Sequence, residues 1–509
     1  MPQRSQGQGV PSDHTGSPSA SASLDPQDWP SFRAQGHRML DDILDYLEHI
    51  RERPVWQPMP GDVREQFRAE LPVAPSELSA VHHQFMRHIL PYSNGNVHPG
   101  FVGWVHGGGN AAGMLAEMLA AGLNANLGGR DHAGLEVERQ IVEWMRQLFG
   151  FPKTASGLFV TGTSMANLIA VLIARDAALG FDVRRAGVAA STKRLTAYAS
   201  VAAHESLPKA LDCCGLGSDA LRLVPVDHRH QMNLAALKRM IESDRRAGFT
   251  PFLVAGTAGT VDIGAIDDLD GLAAIVHQER LWMHVDGAYG ALGILTPEIA
   301  PRLAGIEAAD SLAFDFHKWG QVPYDAGFVL VRDGELHRKA FASAAAYLAR
   351  ETRGLAARSP WPCDFGPDLS RGFRALKTWF TLKVHGLDAL GDSIARTCQL
   401  ARYLEQRVAE TSELELLAPV QLNIVCFRYC SVDADRVNAR IVMDLQESGV
   451  AAPSTTRING ALAIRAAITN HRTNFSDIDA LVDATLALGR ALAAQVDVED
   501  PQLEAVLHD

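Results

Sequence analysis

The sequence predicts an α/β protein built around a mostly parallel central sheet. Short apolar segments alternate with longer amphipathic stretches between about residues 158 and 331, and parallel strands need crossover connections of this kind. The predicted strands are Leu158–Val160, Thr196–Ser200, Leu221–Val226, Pro251–Thr257, Leu281–Asp286, Ser311–Phe314 and Gly327–Val331. Two of the predicted helices between them are Ser164–Asp176 and Leu234–Ser243. Ligands of such sheets bind beyond the carboxyl ends of the strands, so a site is expected there.

Length and composition predict a globular protein of several packed units. A chain of 509 residues is too long for one small core, so we expect two or three units. The net charge of -12 disfavours a nucleic-acid or anionic-membrane partner, because both need concentrated positive charge. No apolar run reaches the ~18 residues of a membrane span, which favours a cytoplasmic protein. The six cysteines lack the spacing of a disulfide framework or a metal site, so no metal is expected.

The N-terminal part of the chain is predicted to contain an amphipathic helix. A helical period covers Trp29–Val55, and Pro54, Pro58 and Pro60 end it. The apolar face consists of Phe32, Met39, Ile43, Tyr46, Leu47 and Ile50. An amphipathic helix followed by a Pro-rich strap is typical of a segment that packs on a partner. A local helix that packs on its own chain is the alternative.

These patterns divide the chain into five predicted segments. They are a disordered tail at 1–27, a helical and strap segment at 28–100, a large cofactor-binding domain at 101–375, a small domain at 376–495 and a second tail at 496–509. The small domain is predicted to be α+β, because a long helical stretch follows Phe373 and two strand-like segments follow that stretch. Those segments are Leu422–Tyr429 and Leu462–Ile468.

Two charged residues follow predicted strands of the central sheet. Asp286 ends an apolar strand, and Lys318 lies in the segment Asp315-Phe-His-Lys-Trp-Gly320 just after another strand. Taken singly, a helix-capping aspartate or a surface lysine would explain either residue. Together they fit pyridoxal 5'-phosphate (PLP), which needs a lysine for its Schiff base and an anionic partner for its pyridine nitrogen.

A third segment could hold the phosphate of this cofactor. Thr161-Gly-Thr-Ser-Met-Ala-Asn167 supplies glycine and hydroxyl groups between a strand and a predicted helix. A helix N-terminus binds phosphate through backbone N–H groups and the helix dipole. Thr163 and Ser164 are the expected hydroxyl donors, although an ordinary serine N-cap has the same pattern.

Five segments of the chain resemble group II pyridoxal-dependent decarboxylases, the family that contains aromatic amino-acid and glutamate decarboxylases. They are His98-Pro99, Gly256-Thr-Ala-Gly-Thr-Val-Asp-Ile-Gly-Ala265, His284-Val-Asp-Gly-Ala-Tyr289, His317-Lys318-Trp319 and Phe373-Arg-Ala-Leu-Lys377. The similarity covers about Trp29 to Ala494. It implies a fold of type I of PLP-dependent enzymes, similar to aspartate aminotransferase, and a homodimer. It also implies decarboxylation of an L-amino acid to its amine and CO₂.

The resemblance also implies a role for single residues. Lys318 would hold the cofactor, Asp286 would face its ring nitrogen, and His204 would stack on the ring and assist proton transfer. Thr257 and Ala288 would line the cofactor pocket, and His317 would contact the phosphate. Asp315 stands where some relatives carry asparagine, and we leave it out because a carboxylate is an unusual phosphate ligand.

Tyr347 matches a tyrosine on a mobile catalytic loop of the family. In that family the loop tyrosine separates simple decarboxylation from an oxygen-consuming route that yields aldehyde. Together with Lys318, His204 and Asp286, it completes the predicted catalytic set.

The substrate is less well determined by the sequence. Trp104 and His106 are expected in one wall of the pocket, and Asn124 and Asn126 in the facing wall. An aromatic side chain could stack on Trp104, and this reading is slightly favoured. An acidic or small polar substrate is the alternative, with Arg130 as the nearest candidate cation. Another PLP-dependent lyase or transaminase reaction, or a non-catalytic relative, also stays open.

Overall fold

The computed structural model describes residues 23–342 and 351–494. Its large sheet has seven strands in the order β1-β7-β6-β5-β4-β2-β3. The strands are β1 Ser156–Val160, β2 Leu195–Ser200, β3 Leu221–Val224, β4 Thr250–Thr257, β5 Trp282–Asp286, β6 Ser311–Asp315 and β7 Gly327–Val331. Only β7 is antiparallel to its neighbours in this sheet, so the predicted mostly parallel α/β fold is confirmed.

Helices connect and cover these strands. The described helices are α1 Trp29–Glu48, α2 Gly61–Gln66, α3 Leu78–Gln84, α4 Ala111–Leu123, α5 Ala133–Leu148, α6 Thr163–Leu179, α7 Val183–Ala186, α8 Ser206–Cys213, α9 Leu234–Arg246, α10 Leu269–Glu279, α11 Gly334–Phe341, α12 Arg374–Ala409, α13 Ala434–Ser448 and α14 Phe475–Ala493. The central strands β4, β5 and β6 are buried along nearly their whole length, as expected when helices cover both faces of a sheet. None of the described helices is long and apolar enough to cross a membrane.

A second, four-stranded antiparallel sheet follows in the C-terminal part, in the order β10-β11-β9-β8. Its strands are β8 Leu414–Leu416, β9 Ile424–Tyr429, β10 Ser454–Ile458 and β11 Ala461–Ala467. Helix α12 leads into this part and is broken at Gly386, where φ is 75°. Apolar residues of α12, α13 and α14 pack together with β9 and β11 in one core. The bounds of the five predicted segments remain predictions.

Several predicted element boundaries are wrong. Helix α1 ends at Glu48, and a separate 3-10 turn at Ile50–Glu52 precedes Pro54. The apolar face is covered mainly at the end of this segment, where Tyr46 and Ile50 pack on Leu90. Two other residues of the predicted apolar face, Phe32 and Met39, are 44% and 37% exposed. Helix α6 begins at Thr163 rather than Ser164 and continues to Leu179 instead of ending at Asp176.

Candidate active site

Five predicted site residues lie at one edge of the large sheet. Thr163 follows β1, His204 follows β2, Thr257 ends β4, Asp286 ends β5 and Lys318 follows β6. These five strands run in the same direction, so their carboxyl ends share that edge. Thr257 is paired with Asp286 in the register of β4 and β5. The topology therefore gathers residues that are up to 155 positions apart in the chain, from Thr163 to Lys318.

The carboxylate of Asp286 is buried and fixed by two hydrogen bonds. Its Oδ1 accepts the backbone N–H of Ala288 at 3.1 Å, and its Oδ2 accepts the side-chain amide of Asn167 at 2.9 Å. The small side chain of Ala288 leaves the turn after β5 open for close approach. An anion held in this way can stabilise a positive charge on a bound ring.

Lys318 lies within an ionic cluster at the end of β6. Its Nζ is 3.3 Å from Oδ2 of Asp315, and Nε2 of His317 is 3.5 Å from the same oxygen. The other ring nitrogen of His317, Nδ1, accepts the backbone N–H of Ala326 at 3.0 Å. Burial lowers the pKa of His317, so its ring is favoured in the neutral form. The lysine is thus the partly exposed end of a cluster whose other members are buried.

The start of helix α6 fits an anionic ligand. Gly162 precedes the helix and provides no side-chain cap, while Asp315 accepts the Thr163 N–H at 2.7 Å. The hydroxyls of Thr163 and Thr257 are buried without a hydrogen-bond partner in the described part of the chain. A buried unsatisfied hydroxyl costs roughly 1–3 kcal/mol, so a ligand that bonds to both would relieve that cost. Ser164 is exposed in the same helical turn.

His204 is exposed at the end of β2 and is anchored through one ring nitrogen. Its Nδ1 lies 2.9 Å from Oγ of Ser206 and accepts the Ser206 backbone N–H at 3.1 Å. A backbone N–H can only donate, so Nδ1 carries no proton and the neutral ring is protonated at Nε2. The unanchored nitrogen is therefore the one that can give up a proton.

An aromatic wall stands next to Lys318. The rings of Phe101, Trp104 and His106 stack with centroid separations between 5.7 and 6.1 Å. The backbone of Gly107 touches the lysine turn, because a Cβ on it would lie 2.5 Å from the Lys318 carbonyl oxygen. Burial, followed by the charge of Lys318, lowers the pKa of His106. Trp104 remains 52% exposed, so its ring is available to a ligand.

The two asparagines of the predicted facing wall have local structural roles. Asn124 is the C-cap of α4 in the left-handed conformation, which asparagine tolerates well. The side-chain oxygen of Asn126 accepts the backbone N–H groups of Gly128 and Arg371. Contact of either asparagine with substrate remains a prediction. Tyr347 lies outside the described residues.

Sequence reasoning assigned no role to three polar residues that line this site. Asn167 and Ser206 connect Asp286 to His204 by hydrogen bonds, and His284 bonds the side-chain oxygen of Asn167. Asn167 and His284 stand inside the motifs that predicted the site, and Ser206 follows His204 by two positions. Their proximity to those motifs was the available signal, but the pairing between them depends on the fold.

The chain matches one known family over most of its length. Residues 60–430 match the family described as pyridoxal-dependent decarboxylase conserved domain. An aromatic-L-amino-acid decarboxylase of Bacillus atrophaeus is 33% identical over 482 residues, covering 92% of this chain and 97% of the relative. A phenylacetaldehyde synthase of Petunia hybrida is 29% identical, with 90% and 93% covered. The solved structure of Catharanthus roseus tryptophan decarboxylase in complex with L-tryptophan has a TM-score of 0.81 at 26% identity, with 92% and 100% covered.

Proposed function

The chain belongs to the pyridoxal-dependent decarboxylase family, and we propose that it converts aromatic L-amino acids to the corresponding amines and CO₂. The observation that carries the substrate class is the stack of Phe101, Trp104 and His106 beside Lys318. Such rings favour an aromatic side chain by offset or edge contacts. The names of the Bacillus and Catharanthus relatives support the same class.

When bound, PLP withdraws electrons from the α-carbon of the substrate and thereby weakens its bond to the carboxylate. Lys318 would hold the cofactor covalently, and the Asp286 carboxylate would favour a positive charge on its ring nitrogen. The start of α6, with Thr163 and Ser164, would bind the phosphate together with His317. Thr257 would supply a further hydroxyl, and the absence of a hydrogen-bond partner for it among the described residues supports that assignment.

Proton transfer is assigned to His204 and Tyr347. His204 presents a protonated Nε2, because its Nδ1 is occupied by hydrogen bonds from Ser206. A phenol close to the α-carbon can deliver a proton there, which completes an amine product. Formation of an aldehyde is a second candidate reaction, because the Petunia relative is named as a phenylacetaldehyde synthase.

An acidic substrate is less well supported. The guanidinium of Arg130 lies over the ring of Trp361, with its central carbon 4.7 Å from the ring centroid. A cation–π contact of this kind holds the guanidinium over Trp361 and would have to be shared or given up if Arg130 bound an acidic side chain.

Initial rates on a panel of L-amino acids test the substrate proposal. The panel contains the aromatic substrates tryptophan, tyrosine and phenylalanine. Glutamate, aspartate, histidine and serine are the substrates for comparison, and PLP is saturating throughout. We expect kcat/KM at least about tenfold higher for an aromatic substrate, equivalent to ~1.4 kcal/mol of differential binding. A preference for an acidic or small polar amino acid would refute the aromatic proposal and leave the family assignment intact.

The active enzyme is proposed to be a homodimer. Phe32 and Met39 expose an apolar stripe on α1 that a second copy could cover. Sedimentation should show a dimer, and Phe32→Asp combined with Met39→Asp should weaken it. Val432→Asp, at a fully exposed position of the small domain, is the matched control. An active monomer at assay concentration would contradict the dimer.

A further inference from the structure

Three polar side chains outside the proposed catalytic set form a buried hydrogen-bond chain beneath the site. Asn167 donates from Nδ2 to Oδ2 of Asp286 and to Oγ of Ser206, both at 2.9 Å. Its Oδ1 lies 2.8 Å from Nε2 of His284. Asn167 and His284 are fully buried, and Ser206 is 5% exposed. Buried polar groups are costly unless they are satisfied, and here each has a partner.

The chemistry of the partners fixes the direction of every bond in this chain. An ionised Asp286 can only accept, so the Asn167 amide must face it with Nδ2 and face His284 with Oδ1. His284 must then donate from Nε2 and accept at Nδ1, where Oγ of Ser311 lies at 2.9 Å. Ser311 in turn accepts the indole N–H of Trp282 at 2.8 Å. Burial lowers the pKa of His284 to about 4, which matches the single ring proton that this pattern requires.

A second arm of the chain reaches His204. Oγ of Ser206 accepts from Asn167, so its own proton is free to bond Nδ1 of His204 at 2.9 Å. Two donors from Ser206, the hydroxyl and the backbone N–H, therefore meet the same ring nitrogen. This arrangement keeps the His204 proton on Nε2 and holds the orientation of the ring.

We propose that Asn167 is a positioning residue that couples the two cofactor-facing groups, Asp286 and His204. Its amide fixes the rotamer of the Asp286 carboxylate and, by occupying the Ser206 hydroxyl oxygen, directs the hydroxyl proton to the ring nitrogen of His204 that the Ser206 backbone N–H also holds. The side-chain amide of Asn167 cannot flip. A flipped amide would place its oxygen against the Asp286 carboxylate and its NH₂ group against the donating nitrogen of His284. The inference rests on the proposed roles of Asp286 and His204.

Asn167→Leu removes both arms at similar side-chain volume. We expect kcat to fall about 10- to 100-fold, the usual cost of losing a hydrogen bond that orients a functional ligand. KM should change less than about threefold, because the residue does not reach the substrate wall. The absorbance spectrum of the bound cofactor should shift, since it reports the protonation of the ring that Asp286 controls. Trp379→Phe, which removes an indole N–H bonded to Gln140 rather than to this chain, is the control and should leave both readouts unchanged.

A double variant separates positioning from simple destabilisation. If Asn167 acts through Asp286, adding Asn167→Leu to Asp286→Asn should cost clearly less than the product of the two single losses. A purely structural role predicts multiplicative losses and an unchanged spectrum, and that result would overturn the inference. If Asp286→Asn alone leaves turnover intact, the proposed function of Asp286 fails first, so the two failures are distinguishable.

Ser206→Ala tests the second arm and also serves if Asn167→Leu does not fold. It keeps the hydrogen bond to Asp286 and removes the hydroxyl that bonds His204. We expect kcat to fall by roughly two- to tenfold, the range of one hydrogen bond, with the cofactor spectrum unchanged. Unchanged kcat in a folded Ser206→Ala protein would overturn the coupling to His204.

Discussion

The proposed cofactor side and the proposed substrate side of the site are built differently. On the cofactor side, Asp286 and His204 are fixed by side-chain hydrogen bonds at the carboxyl ends of buried strands. On the substrate side, the 104–110 loop is held mainly through its backbone. Gly108 donates its N–H to Gln321 at 3.1 Å, and the Gly109 carbonyl lies 2.9 Å from His471.

We expect this difference to separate the residues that set the reaction rate from the residues that set the substrate preference. Changes on the cofactor side break hydrogen bonds between buried groups and should therefore change the rate of the chemical step. The exposed ring of Trp104 can be replaced without breaking the backbone contacts that hold its loop, so changes there should alter substrate preference first. We therefore expect substitutions on the cofactor side to reduce activity more than substitutions on the substrate side.

The largest effect is expected for Lys318→Ala. Lys318 supplies the amine at the end of β6, and well-oriented groups reach effective molarities of about 10⁵–10⁸ M, so turnover should fall by more than roughly 10³-fold when that amine is removed. Steady-state turnover at saturating PLP measures the loss. Lys209→Ala, at an exposed lysine that pairs with Glu205, is the control and should stay near wild type. Residual turnover above a tenth of wild type would contradict the assignment.

Asp286→Asn should rank second. An amide of the same shape cannot hold a positive charge on the ring nitrogen, so kcat should drop about 10²–10³-fold. Bound cofactor should be retained, which dialysis followed by absorbance can check. Asp310→Asn is the matched control, because Asp310 precedes β6 at the opposite edge of the sheet and accepts the N–H of Met283. Equal losses in both variants would show a fold effect rather than a site effect.

Tyr347→Phe should change the products more than the total rate. Loss of the phenol removes a proton donor, and general acids typically accelerate a reaction about 10²–10⁴-fold. Amine formation should therefore slow by at least about tenfold. The balanced alternative consumes O₂ and water and yields aldehyde, CO₂, ammonia and hydrogen peroxide. Parallel assays of amine, aldehyde and peroxide measure the partition. Tyr403→Phe, which removes a hydroxyl bonded to Asp479, is the control, and an unchanged product ratio in Tyr347→Phe would exclude its role.

Trp104→Ala should have the smallest effect of the four. Loss of one aromatic contact of about 0.5–1.5 kcal/mol should raise KM for an aromatic substrate roughly two- to tenfold, with kcat little changed. Substrate saturation curves for tryptophan and for a small polar amino acid show whether KM rises only for the aromatic substrate. Phe475→Ala, a similarly exposed ring that stacks edge-on against Tyr403, is the control. A drop in kcat with unchanged KM would place Trp104 on the cofactor side instead.

The strand-end positions of the proposed cofactor-side residues could be predicted from local apolar runs. Thr257 and Asp286 were predicted to end strands and Lys318 to follow one, and β4, β5 and β6 end there. The roles of these residues remain predictions. Local pattern carries this information because a parallel sheet brings successive carboxyl ends to one edge. The reversed direction of β7 was not predicted, since an apolar run gives no strand polarity.

Partners distant in sequence could not be predicted in the same way. The Asn167–Asp286 bond spans 119 positions, and nothing local to either residue specifies it. Asn124 is ambiguous for a different reason, because an asparagine that caps a helix in the left-handed conformation has the same local sequence as one that lines a pocket. The substrate side depends on such ambiguous loop residues, so its prediction was weaker.

The central claim is that Lys318 holds PLP within the strand-end cluster, and peptide mapping after borohydride reduction tests it most directly. The reduced lysine resists trypsin, so the label should appear on the peptide that spans residues 303–332, between Arg302 and Arg332. Tandem mass spectrometry should place it on Lys318, with no label on that peptide in Lys318→Ala. A stoichiometric label on any other lysine of the active protein would contradict the account.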